Sequence, residues 1–217
     1  MEIEKMGLFT DLEPMRVLIA CEFSAIVRNA FEMAGHDATS CDFEPTEWPG
    51  KHYRGDVRDI MNNGFDLMIA HPPCTFLCNA QLHLCTENSE RKANQKLAIQ
   101  FVQDLMSAKI PRICIENPRG ILSRHIGQPT QVVTPWYFGS VYDKDICLWL
   151  KNLPLLKQTH FVKGHKKMKN HVNSRMTKEE RNKIKSRFFP EVAMAMAEQW
   201  GALKRATCPA PVPTLFT

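Results

Sequence analysis

A Rossmann-like, doubly wound α/β fold with a mostly parallel sheet is predicted by three features of the sequence. Short strand-like runs at 16–21, 37–43, 67–70 and 111–115 alternate with segments of helical period, the rhythm of strand–helix–strand units. The run at 67–70 lacks a polar face, which fits a strand covered on both sides. The runs also end in polar or proline-bounded groups: Asp42, then His71-Pro72-Pro73-Cys74, then Glu116-Asn117-Pro118. Proline has no ladder donor and must leave the sheet, so these groups fall at the carboxyl edge, where open α/β sheets bind ligands.

Taken in order, residues 16–21 form a first buried strand, and Ser24 is the expected N-cap of a helix that runs to about Ala34 and is closed by Gly35. Ile26, Val27, Ala30, Phe31 and Ala34 share its apolar face. A second strand at 37–43 brings Asp42 to its end, and a short strand at 52–54 precedes Gly55-Asp56-Val57, where Asp56 suits either a turn cap or a base contact. After 67–70 and the thiol of Cys74, a polar loop leads to a helix at about 89–108, with Ala93, Leu97, Ile99, Phe101, Val102, Leu105 and Met106 as its apolar face. Strands follow at 111–115 and 146–150, and an amphipathic helix at 188–203 carries Val192, Met196, Trp200 and Leu203 on one stripe. The expected division is a catalytic and cofactor core at 1–118, a small irregular basic insertion at 119–187, a helix returning to the core at 188–204, and an irregular tail at 205–217.

The 217 residues suffice for one substantial core, and no apolar run reaches the roughly 18–20 residues of a membrane span. Four acidic residues in the first fifteen are unlike an export signal, and eight cysteines without a framework spacing are expected to stay reduced, so a cytoplasmic setting is expected. The net charge of +5 is concentrated: between Lys163 and Arg187 stand ten Lys or Arg against two acids, leaving the rest of the chain slightly acidic. Such a segment suits a polyanion, most often nucleic acid, with Lys166, Lys167, Lys169 and Arg175 as the expected contacts. Cys74, Cys78, His83 and Cys85 offer zinc-ligand atoms, but their spacing matches no common zinc motif, and no metal is expected. No membrane or protein partner is indicated.

Cys74, past a strand end, is the best placed of the cysteines to act as a nucleophile, and Glu116 ends the next strand-like run. If those strands are neighbours, thiol and carboxyl flank one pocket. That pair suits addition of a thiolate to C6 of a pyrimidine while the acid holds N3 and the exocyclic amine, which makes C5 nucleophilic.

Ala20-Cys21-Glu22-Phe23-Ser24 opening a helix, Asp42, Gly55-Asp56-Val57, Pro72-Pro73-Cys74 and Glu116-Asn117-Pro118, in this order, resemble the S-adenosylmethionine-dependent cytosine-C5 DNA methyltransferases, most nearly the short phage and prophage members. The likeness covers residues 16–120, and residues 186–203 are similar to the segment that returns to the catalytic domain. It implies a class I methyltransferase fold, with Cys74 as nucleophile, Glu116 on cytosine N3 and N4, and Asn117 steadying the Pro-Pro-Cys loop. It also implies Asp42 on the ribose of S-adenosylmethionine, Asp56 on its adenine, Cys21, Glu22, Phe23 and Ser24 around its methionine end, and Pro72 against it. The loop lacks the family's glycines, and the sequence has no clear counterpart of the arginine-bearing motif that usually faces the base, for which Lys144 or Arg175 is the expected substitute. DNA is the implied substrate; single strands, RNA or a free pyrimidine nucleotide would allow the same chemistry, and a non-catalytic nucleic-acid binder is the alternative of another class.

Overall fold

A computed structural model describes residues 13–142, 144–163 and 176–203. Seven strands form one sheet: β1 (Arg16–Ala20), β2 (Asp37–Asp42), β3 (His52–Arg54), β4 (Leu67–Ala70), β5 (Arg112–Asn117), β6 (Gln131–Val133) and β7 (Ile146–Lys151), in the order β3-β2-β1-β4-β5-β7-β6. The first five are parallel, and β7 lies antiparallel to both β5 and β6. This is the doubly wound order with an antiparallel seventh strand set between the fifth and sixth, and the expected fold class is therefore observed. The helices are α1 (Ile26–Met33), α2 (Asn79–Glu87), α3 (Ser89–Met106), α4 (Lys178–Ser186) and α5 (Pro190–Gly201).

Period-two alternation divides the strand residues between two cores. Val17, Ile19, Leu67, Ile69 and Leu148 face α1 and α5, whereas Leu18, Ala20, Met68, Ala70, Ile113 and Ile115 face α3. Ile99, Val102 and Leu105 of α3 are buried as expected, but Leu97 is 68% exposed. It belongs to the wall of a cavity rather than to the core.

Several boundaries differ from the sequence expectation. The N-cap of α1 is Ala25, in left-handed backbone at φ 60°, and not Ser24. The capping carboxylate comes from Glu22, whose Oε1 and Oε2 accept the Val27 and Arg28 amides at 2.7 and 3.2 Å. Strand β5 runs through Glu116 and Asn117 because β7 pairs with both of them. The polar loop after Cys74 contains α2. Within 119–187, β6 and β7 extend the main sheet and α4 carries a Thr177–Glu180 capping box, so this stretch begins as core and is not irregular throughout.

Arg28 is the largest departure from any burial rule: its side chain is wholly buried. Its guanidinium donates to the Trp48 and Pro49 carbonyls at 2.9 and 2.7 Å and to Ser40, Thr46 and Asn29, which pins the loop after β2 against α1. Arg28→Leu strands these acceptors in a closed site. We expect a loss of about 3 kcal/mol, read as a lower urea midpoint.

Candidate active site

The strand order reverses between β1 and β4, so the chain leaves these neighbours in opposite directions and opens a crevice at their carboxyl ends. The last paired row across the sheet is Cys41, Ala20, Ala70 and Ile115. One residue further on, the same four strands present Asp42, Cys21, His71 and Glu116. Strand pairing thus brings side chains from distant parts of the sequence to one edge.

Cys74 and Glu116 flank one small cavity of about 110 Å³, together with Asn117, Lys144, Arg187 and Phe188. Burial pushes the Cys74 thiol above its ordinary value, nearby Cys78 adds to this, and the positive charge of Lys144 opposes it. Asn117 is buried, and its Nδ2 donates to the Pro72 carbonyl at 2.7 Å, tying β5 to the Pro-Pro-Cys turn. The turn is tied a second time: Ile121 donates to the Leu77 carbonyl at 2.9 Å and Asn79 to the Arg119 carbonyl at 3.0 Å. Gly120 sits at this crossing, where an added Cβ would lie 1.9 Å from the Leu77 oxygen.

His71, unassigned by the sequence reading, is within hydrogen-bond distance of Glu116, Nδ1 to Oε2, at 3.2 Å. Its ring packs on Phe188 with centroids 4.7 Å apart. The signal for it was positional: His71 and Glu116 each occupy the first place past the paired apolar run of neighbouring strands.

Two larger cavities continue from the small one. A cavity of about 720 Å³ is lined by Cys21, Glu22, Phe23, Ser24, Asp42 and Cys74, among others. A neighbouring one of about 570 Å³ is bounded by Asp42, Phe43, Asp56, Pro72, Leu97 and Phe101. Phe43 and Leu97 are 69% and 68% exposed on its walls, an apolar surface that no described residue covers. An acid at the end of β2 beside an apolar slot fits the ribose and adenine of a nucleoside cofactor. Burial raises the Asp42 carboxyl above its usual range, an effect opposed by the Glu44 amide it accepts. Asp56 caps the short 3₁₀ turn Val57–Asp59 and is gripped by Arg58, which holds its carboxyl below the usual carboxylate range. It lines the slot as expected, but already engaged. Cys21, in left-handed backbone at φ 58°, has its thiol raised far above the ordinary value, first by burial and then by Asp42. Among the described residues no three His, Cys, Asp or Glu side chains converge as a metal site, and no helix is long and apolar enough to cross a membrane.

The C-terminal part covers the crevice. Ser186 and Phe188 reach the larger cavity, and Glu47 pairs with Lys183 and Arg187 at 3.4 and 2.9 Å. The Glu47 amide donates to the Phe23 carbonyl, so α4 is fastened to the loop after β1. Lys166, Lys167, Lys169 and Arg175 lie outside the described residues.

Fold and site together define a Rossmann-like protein with a nucleoside-sized cleft and a thiol–carboxyl pair at its edge. No family model and no curated protein matches the sequence. Among solved structures, the chain is similar to the Dnmt2 methyltransferase of S. pombe, at 13% identity and a TM-score of 0.45 over 66% of this chain and 51% of that one. It is also similar to the Entamoeba histolytica methyltransferase EhMeth, at 14% identity and a TM-score of 0.46 over 74% and 62%. The chain thus spans about half to three fifths of these proteins, and the likeness is one of fold.

Proposed function

We propose that this protein is an S-adenosylmethionine-dependent methyltransferase that acts on C5 of cytosine in DNA through a covalent Cys74–C6 adduct. The observation that carries the reading is the meeting of Cys74 and Glu116, from adjoining parallel strands, on one small cavity that also holds Lys144. The cofactor would supply an electrophilic methyl group from the larger cavities, held by Asp42 at the ribose, by the Phe43–Leu97 slot at the base, and by residues 21–25 at the amino-acid end.

The chain's own part is to activate the base. The Cys74 thiolate adds at C6, the ring electrons shift to N3, and Glu116 gives N3 a proton, which leaves C5 electron-rich. Asn117 keeps the nucleophile turn in register with β5 through Pro72. Lys144 favours the thiolate against the cost of burial and takes the place of the expected base-facing cation. DNA would be held by Lys166, Lys167, Lys169 and Arg175, an assignment that rests on charge alone.

The test of the function is incubation with tritiated S-adenosylmethionine and duplex DNA, single-stranded DNA, RNA or dCMP, followed by nucleoside analysis. Label in 5-methylcytosine from duplex DNA supports the reading. Label only in another substrate moves the substrate class, and no label anywhere from folded protein rejects the chemistry.

Lys144 makes a separate prediction. The Cys74 thiol titrates above its ordinary value, so its reactivity rises with pH, and removing the lysine charge raises that value further. Below the midpoint, Lys144→Ala is therefore expected to slow iodoacetamide labelling of Cys74, by about threefold for each half pK unit. Mass spectrometry of the Cys74 peptide at pH 8 measures the rate.

A further inference from the structure

Among the polar groups at the sheet edge, His71 has the most specific surroundings and no role in the chemistry above. Its backbone amide donates to the Ala20 carbonyl at 2.9 Å, which fixes it as a continuation of β4. Its side chain is only 11% exposed, and it lines both the small cavity and the 720 Å³ cavity. Nδ1 meets Glu116 Oε2, while Nε2 is buried with no hydrogen-bond partner among the described residues. The charged and titratable groups that share its small cavity are Glu116 on β5, Cys74 on its own turn, Lys144 before β7 and Arg187 after α4, and buried Glu22 on the loop after β1 interacts with it electrostatically.

An imidazole on a carboxyl group can do one of two things. With Nδ1–H donating to Oε2, it leaves Oε1 to carry the acid proton and aims that oxygen away from itself. With both nitrogens protonated, the imidazolium holds the carboxyl as a carboxylate, and the acid proton is gone. Phe188 packs against the ring at a tilt of 49°.

We propose that His71 is the positioning residue for Glu116: its Nδ1–H holds Oε2, turns Oε1 toward the base, and stabilises the carboxylate that remains after proton donation. The inference rests on the cytosine reading above. The step balances within the pocket. Sγ bonds to C6, the C5=C6 pair becomes C4=C5, the C4=N3 pair moves to N3, and N3 takes the Oε1 proton. As C5 takes the methyl group the C4=N3 bond reforms and N3 returns its proton to Glu116; Sγ then leaves as the C5–H pair becomes C5=C6, and the C5 proton is lost to solvent.

The experiment compares kcat and KM of wild type, His71→Ala and His71→Asn, alongside thermal melting and S-adenosylhomocysteine binding. Asparagine keeps an N–H near the Nδ1 position. His71→Ala is expected to lower kcat about 10²-fold with little change in KM or cofactor binding. His71→Asn should recover kcat to within about tenfold of wild type. Asparagine no better than alanine overturns the assignment, as does a fall in melting temperature and cofactor affinity that accounts for the whole loss. Those outcomes require an active wild type; a wild type that methylates no substrate overturns the cytosine reading itself, and the role of His71 with it.

Discussion

Cys74→Ser is expected to abolish methyl transfer, by about 10⁴-fold or more in kcat, while the protein still folds and binds S-adenosylhomocysteine. The side chains are nearly isosteric, so the turn held by Asn117 and Gly120 has no reason to move. The difference lies in ionisation. Even with the thiol raised by burial, a rise that the Lys144 charge opposes, Cys74 ionises far more readily than a serine hydroxyl in the same place. A duplex carrying 5-fluorocytosine separates the steps, since its C5 substituent cannot leave as a proton. Wild type should form a complex that survives denaturing electrophoresis, and the variant should not. Normal turnover by Cys74→Ser would show that the chemistry lies elsewhere.

The second large effect is expected from a single methyl group well away from any ligand. In Gly120→Ala the new Cβ would stand 1.9 Å from the Leu77 carbonyl oxygen, and backbone has no flexible end to swing aside. The crossing must open, which breaks the Ile121–Leu77 and Asn79–Arg119 hydrogen bonds and loosens the segments that follow both Asn117 and Cys74. A loss of about 2–3 kcal/mol in stability is expected, with kcat lowered about 10²-fold because the thiol and the carboxyl no longer share a fixed spacing. Gly35→Ala is the control. Gly35 has φ +87° with nothing within 4 Å of its would-be Cβ, so the cost is about 1 kcal/mol of backbone strain, with activity retained. Chemical denaturation and the tritium assay distinguish the two.

Much of the fold was legible because buried parallel strands announce themselves as unbroken apolar runs. The runs at 16–21, 67–70 and 111–115 correspond to β1, β4 and β5, and the meeting of Cys74 with Glu116 followed once β4 and β5 were neighbours. What escaped was information held in pairing rather than in local pattern. Strand β6 has three residues and is defined only by its partner β7. The antiparallel sense of β7 depends on how the chain returns from 119–145, which no periodicity encodes. The burial of Arg28 escaped because its closest acceptors are the backbone carbonyls of residues 48 and 49, and Ser40 and Thr46 are brought to it only by the fold. Ser24 looked like a cap because serine is a good one; the buried Glu22 carboxylate, accepting two amides, outcompeted it.

The edge row of Asp42, Cys21, His71 and Glu116 also works as a ruler. Adjacent strands lie about 4.8 Å apart, so the acid at one end and the carboxyl at the other stand roughly 14 Å from each other, whatever the loops beyond them do. Loop sequences can drift, lengthen or exchange without altering that distance, because it is set by backbone hydrogen bonding in the middle of the sheet. Two ligands seated at opposite ends of the row therefore meet at a separation fixed by the geometry of the peptide bond.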